Sequence, residues 1–433
     1  MSPLDRVLDA LGPLVFGGGL VVLYLDVPGL NTAWFLFAWI GWLWTVDSAI
    51  GWVGGPRFRD ARRRELGALL VWSVPFWCIF EAYNLVLDNW TYVFLPRSEV
   101  VQALYAGLAF ATVLPACFFH AAWFEAAGWL EVSGPRLRDR PTRMWGVEGF
   151  VGGFGALCIV LPLWWPQVCF WMVWGALLGV PAVLTYRLGA PSLLRDLEEG
   201  RNARLVRLFV GGSVSGGLWE GLNYWARTKW VYTVPGFEEW KLFEMPLLGF
   251  VGFPFLALSA FEAYSLWCWT VRNGRHWERP DAEQPEVPSR QVLTQAIALV
   301  AFSAAADALP LDPAVLSKRP LLVEIDGLDA SDRQRLAAQG IWTPEQMVRF
   351  ARSDAISEPT RAHATMALHK GMGAEHARLV LVATGGFEGL AVADPDALQD
   401  RLSHLARAAG VRPPTAAQVR VWIRAVHDGA GRR

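Results

Sequence analysis

Charge is what this chain has least of. Only 18% of its 433 residues are Asp, Glu, Lys or Arg while 53% are hydrophobic, below the roughly one quarter charged that soluble domains carry. With 24 tryptophans and a mean hydropathy of +0.27, the composition is that of a membrane protein. Cysteine is scarce too: Cys78, Cys117, Cys158, Cys169 and Cys268 all fall in apolar segments without C-x-x-C spacing, which excludes a disulfide framework and reads as small buried hydrophobes. The opening stretch MSPLDRVLDALGPLVFGGGLVVLYL lacks a basic n-region and an A-x-A site. It is expected to be a retained first span, not a cleaved signal. Nucleophile motifs, Walker loops, Rossmann glycine patterns and metal-ligand clusters are missing as well, so no cofactor or metal is expected.

Charge is also unevenly placed. The net value of −1 hides long uncharged runs up to about residue 272, followed by ordinary soluble sequence. Apolar windows of roughly 17 to 25 residues, the length that crosses about 30 Å of hydrocarbon, lie near 8–25, 31–53, 67–87, 101–130, 147–165, 167–187, 206–226 and 246–271. Eight spans are expected. Arginines gather in alternate connections: Arg57, Arg59, Arg62, Arg63 and Arg64 in one, four in GPRLRDRPTR, and five from Arg187 to Arg207. The positive-inside rule makes these loops and both termini cytoplasmic, in what reads as a bacterial inner membrane. The segment VLTQAIALVAFSAAADAL, 292–309, is apolar but short and carries Gln295 and Asp307. It reads as an interfacial or docking helix, with a ninth span as the alternative.

The membrane region repeats itself. Aligning Glu81 with Glu220 matches Asn84 with Asn223, Trp90-Thr-Tyr92 with Trp230-Val-Tyr232, and Pro96 with Pro235. Two tandem four-span halves follow, about 1–135 and 136–272. An even span count gives both halves the same orientation, related by an axis along the membrane normal. Each Glu-x-x-Asn pair shares one helix face in the outer half of its span.

Intramembrane acids are expensive, about 2.5–3.5 kcal/mol even on lenient insertion scales, so Glu81, Glu220, Glu262, Glu125 and Asp47 must be paired, protonated or wet. Desolvation favours the neutral acid, which can donate a proton. Glu220 and Glu81 are therefore candidate proton-transferring acids, with Asn223 and Asn84 orienting them and Glu244 at the helix mouth. The plainer reading is that each pair only bonds neighbouring helices. His120 reads as a satisfied core histidine, since its i, i+5 spacing from Glu125 does not share a helix face. Trp90, Tyr92, Trp230 and Tyr232 suit the headgroup zone or the lining of a lipid-binding cleft. A lipid or isoprenoid is the expected ligand; a proton- or cation-coupled transporter and a membrane scaffold are the competing readings.

The stretch NYWARTKWVYTVPGFEEWKLFEMP resembles the membrane-embedded lycopene cyclase domain family. There a W-x-(Y/F)-x-P stretch leads into a Pro-x-Glu-Glu motif at the head of the next helix, within a tandem-repeat bundle. This chain has Phe-Glu244-Met-Pro246 in that place, so Glu244 is the one acid carried over. The resemblance implies a shared bundle and an isoprenoid or lipid ligand.

Residues 273–318 read as a linker and 319–433 as a cytosolic domain of short helices. Thr343-Pro344-Glu345-Gln346 and Thr415 with Gln418 are capping boxes, and Asp394-Pro395 opens another helix. Ile325-Asp326-Gly327-Leu328 and Gly340-Ile341-Trp342-Thr343 resemble a domain-of-unknown-function family of tandem helix-hairpin-helix units. Asp326 and Asp329 stand where a phosphate-binding turn needs approach by an anion, which disfavours nucleic acid. A protein partner is expected instead. The fold class is all-α: a polytopic membrane helical bundle followed by a small soluble helical domain.

Overall fold

The structure, a computed structural model, describes residues 3–25, 27, 29–234, 240–276, 314–352 and 355–427. The turn expected at Pro235-Gly236 and the apolar segment 292–309 lie outside the described residues. The chain forms two compact units, residues 1–87, 103–226 and 240–312 in one, and residues 88–102, 227–239 and 313–433 in the other.

The first unit is helical. Its helices are α1 (Pro3–Tyr24), α2 (Trp34–Trp52), α3 (Arg63–Leu87), α4 (Glu99–Ala111, whose first turn belongs to the second unit), α5 (Val113–Ala126), α6 (Pro141–Trp164), α7 (Pro166–Cys169), α8 (Gly179–Leu188), α9 (Leu193–Glu199), α10 (Ala203–Trp225) and α11 (Gly252–Val271). Helix covers each of the eight apolar windows. Among the described residues, six stretches are long and apolar enough to cross a membrane: Pro3–Tyr24, Arg63–Leu87, Glu99–Ala126, Pro141–Trp164, Pro166–Leu188 and Leu247–Val271. This is a multi-pass membrane architecture. Two expected spans fall short of that measure for a chemical reason. α2 is rich in tryptophan and carries Asp47, while α10 carries Arg204, Arg207, Glu220 and Asn223 among glycines and serines.

Local chemistry explains the irregularities. Pro115 has no N–H to offer the carbonyl of Ala111, and the helix breaks into α4 and α5 at Thr112. The break is stitched from outside: Trp39 donates to Thr112 at 2.9 Å, and the Ser73 hydroxyl accepts from the Leu114 N–H at 3.0 Å while donating to the Phe110 carbonyl. α10 approaches α11 through glycine. A Cβ on Gly212 would stand 2.7 Å from that of Ala257, and one on Gly216 would strike the Phe253 ring at 2.0 Å.

One end of this unit is held by ions. Asp9 of α1 pairs with Arg57 at 3.0 Å and with Arg59. Asp47 accepts from the Phe58 N–H at 2.7 Å, so it does face the arginine loop. Arg272, just past α11, pairs with Glu65 of α3; Arg207 of α10 pairs with Glu125 and Glu131; Arg187 pairs with Glu148. Two of the three arginine-rich connections are therefore bound to acids, one through Arg57 and Arg59 and another through Arg187 and Arg207.

The second unit combines two short strands with helices from the C-terminal part of the chain. β1 (Trp90–Val93) pairs antiparallel with β2 (Lys229–Tyr232), Trp90 opposite Tyr232 and Thr91 opposite Val231. On the other edge of β1, Leu316 donates to the Tyr92 carbonyl at 2.9 Å, and Leu95 and Ser317 are joined at 3.2 Å. The Trp-x-Tyr stretches expected at the headgroup belt are thus strands of this unit, and the second unit draws on more of the chain than 319–433. Among the described residues seven helices follow: α12 (Ala330–Ala338), α13 (Pro344–Phe350), α14 (Glu358–Leu368), α15 (Gly373–Thr384), α16 (Phe387–Ala391), α17 (Pro395–Ala409) and α18 (Ala416–His427). They enclose a core that includes Ile325, Met347, Met372, Val380, Leu402 and Trp422.

The cap signals take physical form here. Thr343 accepts from the Gln346 N–H at 3.2 Å, Asp394 from Ala397 at 2.9 Å, and Thr415 and Gln418 bond reciprocally at 2.9 and 3.3 Å. Each satisfies a donor that the first helical turn leaves without a partner. Asp329 and Asp332 form a further reciprocal cap at α12.

Candidate functional site

Glu81 sits four residues after Trp77 on α3, and that spacing places the indole N–H against the carboxylate at 2.8 Å. Both Glu81 and Asn84 are buried. Two neighbours fix the helix around them: Tyr83 donates to the Ile159 carbonyl of α6 at 2.9 Å, and Phe80 stacks on Trp174 with centroids 5.5 Å apart. The sequence flagged Glu81 and missed Trp77. The i−4 position of an aromatic donor was the available signal.

Glu220 and Asn223 on α10 are fully enclosed, each 0% exposed. The neighbouring Trp219 turns toward α2, edge-on to Trp39 at 4.7 Å and to Phe35 at 5.0 Å. Glu244 is brought to this helix by a tight hairpin in which Lys241–Leu242 pairs with Met245–Pro246. Its turn residue Phe243 adopts a positive φ of 61° and packs on Tyr224, with Gly221 beneath the ring. Glu244 itself is buried. All three candidate acids and both asparagines therefore belong to the helical unit, and all five are removed from solvent. The four aromatics Trp90, Tyr92, Trp230 and Tyr232 belong to the strand unit, where the Trp230 N–H bonds the Tyr232 hydroxyl at 3.1 Å.

The remaining intramembrane polar groups have structural partners. His120 joins three helices. Its Nε2 accepts from Trp42 of α2 at 3.1 Å, and its Nδ1 lies 2.8 Å from the Ala116 carbonyl of α5 and 2.9 Å from Ser215 of α10. An acceptor Nε2 leaves the proton on Nδ1, so every ring nitrogen is satisfied and the histidine is a packing element. Glu262 of α11 accepts from Thr185 at 2.5 Å and from the Leu193 N–H at 2.7 Å, holding the start of α9. Glu125 is half exposed beside Arg207. Among the described residues no three His, Cys, Asp or Glu side chains converge as metal ligands.

Two features of this arrangement matter chemically. A carboxylic acid enclosed by helices is shielded from bulk water, so a proton on it is delivered to or taken from a neighbour and not from solvent. An asparagine one turn further along the same face can donate and accept, and so can hold either protonation state in place. Compared with protein-family profiles, with curated proteins and with solved structures, the chain matches none.

Proposed function

We propose that this is a membrane-embedded enzyme or binding protein for a lipid or isoprenoid, in which Glu81 and Glu220 exchange protons with the ligand, Asn84 and Asn223 orient them, and Glu244 lines the approach. One observation carries the reading: both Glu-x-x-Asn pairs, which align with one another in sequence, are buried in apolar helices, where an acid is costly unless it is used or satisfied. In this reading eight helical segments cross the membrane as two tandem four-span repeats, with a cytoplasmic N-terminus in a bacterial inner membrane. The resemblance of the Glu244 loop to lycopene cyclase domains is consistent with an isoprenoid ligand. Mass spectrometry of lipid extracts from cells carrying the wild-type chain, Glu81→Gln, Glu220→Gln or no protein is the test. A lipid whose level changes with the wild type and reverts with either variant supports the reading; indistinguishable extracts refute it.

A second reading, a scaffold that presents the second unit to a protein partner, is favoured by the way two strands and the bridging residues 315–318, from three distant segments, knit that unit together. Its helix-hairpin-helix-like character rests on Gly327 and Gly340, both at positive φ. Asp326, in the first of these turns, is bound by Arg378 through two bonds of 2.6 and 2.7 Å. The turn's charge thus serves an internal ion pair, which argues for a protein partner over nucleic acid.

A further inference from the structure

The two ends of α3 define two faces of the membrane. The helix has 25 residues, about 37 Å at 1.5 Å per residue, which exceeds the roughly 30 Å of hydrocarbon. Near its N-terminal end, next to the arginines at 57–64, the Glu65 carboxylate receives two bonds of 2.9 Å from Arg272. Trp72 and Trp267 stack one and two turns along, centroids 5.0 Å apart. The chain leaving α11 is therefore at the arginine-rich face.

At the other end of α3 the chain passes from Leu87 to β1 within three residues. The segment that opens the C-terminal part of the chain is hydrogen-bonded to that same strand: Leu316 to Tyr92 at 2.9 Å, Ser317 to Leu95 at 3.2 Å, Arg319 to Leu95 at 3.0 Å. Backbone groups joined by such bonds occupy one side of a membrane. Residue 272 is on one face and residue 316 on the other.

We infer that the C-terminal helices lie on the face opposite the arginine-rich loops, which the positive-inside rule makes the extracytoplasmic face. This replaces the cytosolic tail expected from a count of eight spans. The link itself, 277–313, lies outside the described residues. The arginines of the C-terminal helices are no obstacle, because domains beyond about 60 residues translocate largely regardless of charge. Any protein partner of the second unit is then an extracytoplasmic one.

Single-cysteine labelling of the full chain tests this, using a membrane-impermeant maleimide on cells whose outer membrane has been removed. The native cysteines are buried or half-buried, and the wild-type chain is the blank. Val392, 85% exposed, is replaced in Val392→Cys and the exposed Arg138 in Arg138→Cys. The expected result is labelling of Val392→Cys in intact cells and of Arg138→Cys only after lysis. Labelling of both only after lysis, or the reverse pattern, overturns the inference. Should Val392→Cys fail to accumulate, Asp396→Cys on the exposed start of α17 reports the same face.

Discussion

Thr91 and Val231 stand directly opposite one another at the centre of an antiparallel strand pair. Rotation by a half turn about the axis between them carries Trp90 onto Trp230 and Tyr92 onto Tyr232, so the repeated Trp-x-Tyr motif is superposed on itself. These are the residues that the alignment of Glu81 with Glu220 matches. The strand pair thus carries a local two-fold that relates the two copies of the motif.

β1 is bonded on both edges, to β2 and to residues 315–318. Tyr92 directs its carbonyl to Leu316 and Asn89 its carbonyl to Thr233, so by alternation Thr91 turns its backbone toward Val231. Thr91→Pro removes an interior ladder donor, which sheets tolerate only at edges. It should destabilise the second unit by about 1–3 kcal/mol through the ladder acceptor left unsatisfied, read as early proteolysis around residues 90 and 230 in detergent. A protection pattern equal to wild type would mean that the strand pairing contributes little.

Gly371 packs against β1 with φ at +73°, and a Cβ there would lie 2.3 Å from that of Val93. Gly371→Ala meets both the left-handed backbone cost of about 1–2 kcal/mol and overpacking of about 1–3 kcal/mol. A loss of roughly 2–5 kcal/mol is expected in thermal unfolding of the second unit. Gly385→Ala provides the control, since its φ is +74° with open space around it, and only the backbone part should appear.

Much of this was legible in sequence where the determining contacts are local. Helix covers each of the eight apolar windows because the apolar run itself dictates helix in a bilayer, and the caps at Thr343, Asp394 and Thr415 formed because donor and acceptor are three residues apart. The strands escaped notice because four residues carry little periodicity and the partner of Trp90 is 142 positions away at Tyr232. The same distance hid the dependence of the tail on residues 88–102 and 227–239. Val93, Val231, Val421 and Leu316 form one cluster, so a fragment starting at residue 319 would expose an apolar patch. The burial of Glu81 and Glu220 was readable from composition; their surroundings, including Trp77, depended on packing.

The second unit should lose stability in acid in two stages. His376 and His369 are held neutral: burial pushes both below the usual value of 6.5 while each bonds a carbonyl, of Arg412 at 2.9 Å and Trp422 at 2.8 Å. The unfolded chain then binds protons that the folded one refuses, so this contribution is complete above about pH 6.5 and falls as pH drops below it. Asp326 is held below 3.8 chiefly by its bonds to Arg378, and its contribution is lost only as pH falls from 3.8 through that lowered value. Unfolding midpoints measured from pH 8 to 3 should show a first decline that His376→Gln flattens. A flat profile between pH 7 and 5 in the wild type would contradict it.

Arg272 and Glu65 are each about nine-tenths enclosed and doubly bonded, and the Tyr264 hydroxyl also donates to the carboxylate. Arg272→Met strands that carboxylate between α3 and α11, with an expected cost on the order of 3–5 kcal/mol. Adding Glu65→Gln should recover most of it, since a neutral amide still accepts from Tyr264 without carrying an unpaired charge. Thermal unfolding in detergent measures both, and a double variant no better than the single one would show that the pair matters through geometry instead of charge.

Glu220→Gln separates the two roles open to the buried Glu-x-x-Asn pairs. An amide keeps the size of the side chain and most of its hydrogen bonds, so if Glu220 only joins α10 to its neighbours the variant should fold with a change within about 1 kcal/mol and retain any lipid-directed activity. If Glu220 transfers a proton, folding should be equally intact while activity falls by about 10²–10⁴-fold, because an amide cannot give up and regain a proton at neutral pH. Glu81→Gln should then behave alike, its link to Trp77 surviving through the amide oxygen. Glu220→Ala would confuse the two cases, since it opens a cavity at a position with no exposure and lowers stability in either. The comparison rests on the ratio of activity to folded protein across Gln and wild type at both sites. Equal ratios in all four combinations would leave the acids as structural ties and remove the proposed chemistry.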